Sequence, residues 1–150
     1  MIQRDYLMRQ VQTLIQALQE VLDLHRQGET AAALHTVHRA LGTLDEDADG
    51  TLRGRPLGTV LAFCRRGEAF QPELATAVAD LLKVEGDLLA GKNRAAEARK
   101  SYARALLLRR RAAAEGAPLS LDAASEAATL KEKLGSETLA EIERVARGGT

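Results

Sequence analysis

The chain has 150 residues, 45% of them apolar, with 21 Lys plus Arg against 21 Asp plus Glu. That length suits one domain around one core, and the balanced charge excludes a global field that would gather nucleic acid or an anionic membrane. Two Phe, two Tyr and no Trp leave Leu, Ala and Val to build the core, and a lone cysteine, Cys64, excludes an internal disulfide and fits a reducing compartment.

The opening MIQRDYLMRQ lacks the apolar stretch of a signal peptide, and no window approaches the roughly 18 consecutive apolar residues of a spanning helix. The expectation is a cytoplasmic chain with no membrane segment. Leu7, Val11, Leu14, Leu18 and Val21 then recur at alternating spacings of four and three, with Met8, Ile15 and Leu22 as a second row seven apart. Together they predict a first helix from about Gln3 to Gln27 with a wide apolar stripe that contacts more than one neighbour. Gly28 ends it.

A second helix, Glu29 to about Leu44, carries Ala33, Leu34, Val37, Ala40 and Leu41. Periodicity breaks over Asp45 to Arg55, and Pro56 opens a short helix to Arg66, closed by Gly67. Pro72 opens another, with Leu74, Val78, Leu81, Leu82, Val84, Leu88 and Leu89, ending at Gly91. From Asn93 a helix continues to about Ala114 before Gly116 and Pro118 interrupt it. A C-terminal helical hairpin over about 120–147 completes the chain, with Ser120 and Ser136 as N-caps and Gly135 as the stop between them. No period-2 run is long enough for a strand. The prediction is all-α, a single domain of about seven helices.

Within this pattern the chain repeats itself. Gly86, Leu89, Ala98, Tyr102, Ala105 and Leu106 stand at offsets 0, 3, 12, 16, 19 and 20, and the same frame on the first hairpin reads Val21, Leu24, Ala33, Val37, Ala40 and Leu41. The first frame resembles the signature of the tetratricopeptide (TPR) family: small residues where two helices of a hairpin meet and an aromatic filling the groove between them. Gly28 occupies the inter-helix turn of the first copy, and Asn93 that of the second, as a residue that tolerates the left-handed region. The frames lie 65 residues apart, about twice the 34-residue TPR period. The intervening segment 56–66 reads as a degenerate helix between TPR-like hairpins at about 14–47 and 79–112. The first copy has Val21 and Val37 in place of glycine and aromatic, and neither copy has the terminal proline. The Asp5-Tyr6-Leu7 start, long first helix and late Gly86–Leu106 hairpin together also resemble a family of uncharacterised bacterial proteins. The TPR resemblance implies antiparallel helical hairpins and a protein-binding role.

Four features carry candidate chemistry. Asp45, Asp47, Asp49, Gly50 and Leu52 match positions of an EF-hand loop, but Pro56 stands where a bidentate Glu is required, so a solvated acidic loop is expected. His35 and His38 lie one turn apart with His25 nearby, yet no acid shares their turn, and exposed histidines are the simpler reading. Cys64 follows Ala62 and Phe63, which predicts a buried, inert thiol. Lys92 to Arg111 holds eight cations against the single acid Glu97, a local net of +7, with Lys100, Arg104 and Arg111 on one side of the helix.

No nucleophile pair, paired carboxylates or phosphate-binding glycine loop is evident, and no cofactor or metal is implied. The sequence therefore predicts a non-enzymatic interaction or scaffold protein of TPR type that self-associates, as a homodimer, through Leu7, Met8 and Val11 of the first helix. The alternative is a binder of nucleic acid or another phosphate-bearing ligand through the Lys92–Arg111 helix, with nucleic acid disfavoured because aromatics for stacking are missing.

Overall fold

The computed structural model describes residues 2–44, 52, 55–66, 69–116 and 128–147, with residues 2 and 3 described by backbone alone. The chain is all-α. Its helices are α1 (Ile2–Arg26), α2 (Thr30–Gly42), α3 (Leu57–Phe63), α4 (Pro72–Gly91) and α5 (Ala95–Ala114), then α6, whose described residues are 128–132, and α7 (Ser136–Ala146). Helices α1 and α2 pack as one hairpin, α4 and α5 as another, with α1 and α2 also against α4 and with α7 against α5. Among the described residues no helix is long and apolar enough to cross a membrane.

Both hairpins close by the same backbone device. After α1, Gly28 takes φ +77° and Glu29 N–H donates to Leu24 C=O at 2.9 Å; after α4, Asn93 takes φ +63° and Arg94 N–H donates to Leu89 C=O at 3.0 Å. Each is a helix terminus of the Schellman kind, a left-handed residue followed by an N–H that reaches back five positions. Every equivalent atom pair is separated by 65 residues, the offset of the side-chain frame. The internal repeat thus extends from side-chain pattern to backbone hydrogen bonding.

The packing follows the frame. Val21, Ala33, Val37, Ala40 and Leu41 of the first hairpin and Leu89, Ala98, Tyr102, Ala105 and Leu106 of the second are all buried. Alanines at these contacts let helix axes approach closely, and leucines from α4 and α5 fill the remaining volume. At Gly86 the approach is closest: a Cβ there would lie 2.5, 2.7 and 2.9 Å from Tyr102 Cε1, Cδ1 and Cζ. The glycine is required by the ring laid across it, and not by its own backbone angle.

The segment after the first hairpin departs from expectation. Helix α3 ends at Phe63, where Cys64 N–H donates to Leu61 C=O, and does not continue to Arg66. Arg65–Arg66 (β1) instead pairs antiparallel with Ala69–Phe70 (β2), in register Arg65 with Phe70 and Arg66 with Ala69. Gln71 N–H donating to Cys64 C=O closes the pair and delivers the chain to Pro72, the first residue of α4. Arg66 fixes the corner to α1, its Nε donating to Gln10 Oε1 at 3.1 Å. A smaller correction falls on α7, whose cap is Gly135, with Ser136 already helical.

Candidate functional site

The two apolar rows of α1 have different fates. Val11, Leu14 and Val21 are buried, and Leu7 and Leu18 pack against the same core, where α1 meets α2 and α4. Of the candidate trio Leu7, Met8 and Val11, the chain therefore covers Val11 fully and Leu7 in part by itself. The second row stays open: Met8 and Ile15 are 42% exposed and Leu22 38%. Exposed Asp5, Gln12, Gln19 and Arg26 alternate with them at spacings of three and four, so the outer face is a heptad seam with apolar residues at one of its two core positions and polar residues at the other.

The basic helix α5 is largely committed inside the molecule. Arg109 pairs with Asp80 of α4, and Arg110 with Glu143 of α7 at 3.0 Å. Arg111 donates to Glu115 Oε1 and to the Ala146 carbonyl and lies 5.6 Å from the Phe70 ring centroid. It is a strut between α5, β2 and α7, and does not belong to an open stripe.

Lys100 and Arg104, the other two candidates, come together with Arg99 on a cavity of about 350 Å³ between α3, α5 and α7. Leu57, Ala103 and Leu134 contribute apolar wall, and Thr138 and Glu141 of α7 face the cations. Arg104 is held in place by its neighbours: Nε and Nη2 donate to the Arg55 carbonyl at 3.2 and 2.6 Å, and Nη1 to the Lys100 carbonyl at 3.3 Å. Burial lowers its pKa, an effect that the Glu141 carboxylate opposes. Sequence spacing found Lys100 and Arg104 but chose Arg111 over Arg99, because the choice depends on where α7 lies against α5.

A polar cluster that the sequence did not reveal joins the two hairpins. Glu85 of α4 is fully buried, with His38 Nε2 of α2 2.7 Å from its Oε2 and Ser101 Oγ of α5 donating to its Oε1 at 2.6 Å. The carboxylate bonds both the hydroxyl and the imidazole and so ties α2, α4 and α5 together. One signal was present: Glu85 falls on the apolar stripe of Leu81, Leu88 and Leu89, where an acid requires a partner. A second polar group lies next to it, with Tyr102 donating to Asp87 Oδ1 at 2.6 Å and Lys83 pairing with the same carboxylate at 2.7 Å.

The remaining candidates separate. His25 and His35 are exposed while His38 turns to Glu85, and among the described residues no group of three potential ligands gathers. Cys64 is buried, and burial pushes its thiol up to about 12, against a smaller lowering pull from Arg66. Asp45, Asp47, Asp49 and Gly50 lie outside the described residues; Leu52 is buried in the core, and Pro56 caps α3. No protein-family model, curated protein or solved structure matches the chain.

Proposed function

We propose that this chain is a non-enzymatic scaffold of two TPR-like hairpins, working in the cytoplasm, that self-associates through the outer face of α1. The observation that carries the reading is the open row Met8, Ile15 and Leu22, three large apolar side chains about two-fifths exposed at heptad spacing on a 25-residue helix. The TPR-like half is supported by the repeated turn geometry and by the Gly86–Tyr102 contact.

A second copy fits this seam better than an unrelated helix does. The row is symmetric about Ile15, so an antiparallel partner sets Met8 against Leu22 twice and Ile15 against itself. The ends of the seam carry opposite charge, Asp5 and Arg26, which the antiparallel arrangement brings together and a parallel one would set like against like. Arg26 now pairs within its own helix with Asp23, a surface contact worth about 0–1 kcal/mol and readily exchanged.

The magnitude is modest. Full burial of a large apolar side chain contributes about 1.5–3 kcal/mol, and these are already more than half covered, so six of them supply roughly 6 kcal/mol. Association costs at least about 4 kcal/mol, and flanking glutamine and charge contacts must add to the remainder. The apolar row alone therefore leaves about 2 kcal/mol, and with about as much again from the flanking contacts the expected dissociation constant is on the order of a millimolar. Sedimentation equilibrium across that range tests the reading: the chain should pass from monomer to dimer, and Ile15→Asp, which sets two carboxylates on the dyad, should stay monomeric with unchanged helicity. A wild-type chain that is monomeric throughout overturns it.

A further inference from the structure

The described residues that line the cavity between α3, α5 and α7 carry an excess of positive charge. Arg99, Lys100 and Arg104 face a single acid, Glu141, and among the described residues none of the three cations has a carboxylate within ion-pairing distance. Surface cations commonly stand alone, but Arg104 is half-buried, and a desolvated charge that only the Glu141 carboxylate, beyond ion-pairing distance, offsets is unfavourable. Its guanidinium is also oriented in advance. Three N–H donors go to the carbonyls of Arg55 and Lys100, leaving two of the five that an arginine carries for a ligand, with little side-chain freedom left to lose on binding.

We propose that this cavity binds a small phosphomonoester. Three cations against one carboxylate leave a local charge of +2, which matches the nearly −2 of a phosphomonoester at neutral pH and exceeds what a single carboxylate neutralises. The arginine fork suits phosphate oxygens, Thr138 supplies a hydroxyl donor, and Leu57 and Leu134 offer apolar wall to the ester's carbon skeleton. At about 350 Å³ the space lies at the small end of ligand pockets, about 300–1,000 Å³, and admits a metabolite-sized molecule. The site is independent of the α1 seam, none of whose residues lines it.

Calorimetric titration of the full chain at low salt with glycerol 3-phosphate, glycerol and succinate tests the assignment. Glycerol 3-phosphate should bind with Kd below about 1 mM, glycerol should give no heat, and succinate should bind more weakly. Because Arg104 also holds the Arg55 carbonyl, the exposed Arg99 and Lys100 carry the mutational arm. Arg99→Gln and Lys100→Gln should each weaken binding by about tenfold, the size expected for losing one hydrogen bond to a charged group. Glu141→Gln should tighten it, a gain that a loosened fold would not produce. Lys92→Gln, outside the cavity on the preceding turn, should leave affinity unchanged. Absence of phosphomonoester binding, equal or tighter binding of succinate, or equal weakening by Lys92→Gln and Lys100→Gln overturns the proposal.

Discussion

Gly86 is fixed by one neighbour, and the chemistry of Cys64 by its burial. Gly86 is helical with an ordinary φ, so alanine there gains about 1 kcal/mol of helix propensity. Its methyl, however, would press into a Tyr102 ring held by the Asp87 hydrogen bond and by Lys133 5.2 Å from its centroid. Overpacking of a buried contact costs about 1–3 kcal/mol, so Gly86→Ala should destabilise by up to about 2 kcal/mol in urea melts. In a Tyr102→Leu background the same substitution should become neutral or stabilising; a cycle with no coupling would refute the steric account. Cys64 gives a pH-dependent counterpart. The unfolded thiol ionises near 9.0 and the folded one near 12, so between those values the folded state binds the extra proton and stability falls as pH rises. That contribution is fully present below pH 9. Relative to Cys64→Ala, the wild-type melting temperature should therefore lose ground steadily from pH 8.5 upward, and a pH-independent difference would contradict it.

Element by element, what holds the hairpins together is less local than what forms them. Removing the Glu85 carboxylate takes a partner from both His38 and Ser101, the latter fully buried. Unmet buried polar groups cost about 1–3 kcal/mol each, so Glu85→Ala should cost about 3 kcal/mol and Glu85→Gln, which keeps the shape and part of the bonding, clearly less. Amide exchange in α2 should accelerate more than in α5, because α2 loses its buried polar tie to the second hairpin. Equal protection in both would place the tie elsewhere. The contrast with the turns explains what the sequence made legible. Gly28, Asn93 and Pro72 act through their own backbone angles and stand where the sequence places them, as does the whole of α4 from Pro72 to Gly91. The sequence pattern carries α3 three residues too far because a two-residue strand pair has no periodicity to read, and an Arg-Arg step suits a helix equally well. His38 and Glu85 lie 47 positions apart, a pairing set only once α2 docks on α4. Likewise Arg99 displaced Arg111 as a cavity residue through the placement of α7.

The whole molecule has one heptad seam turned inward and another turned outward on the same helix, and the outer one sets a geometric test of how two copies meet. In the antiparallel arrangement residue 8 of one copy lies beside residue 22 of the other, and the two residues 8 lie about 14 residues, or roughly 21 Å, apart at 1.5 Å per residue. A disulfide needs Cα atoms within about 7 Å. Cys64 is buried, so cysteines introduced on α1 report without interference from the native thiol. Under mild oxidation Ile15→Cys should form a covalent dimer, Met8→Cys alone should not, and an equimolar mixture of Met8→Cys with Leu22→Cys should cross-link through the mixed pair. Efficient self-linking of Met8→Cys would show a parallel dimer, with the end charges Asp5 and Arg26 overridden by apolar packing. If Ile15→Cys fails to link although the chain sediments as a dimer, the interface lies off this seam, and the exposure of Met8, Ile15 and Leu22 would then need another occupant.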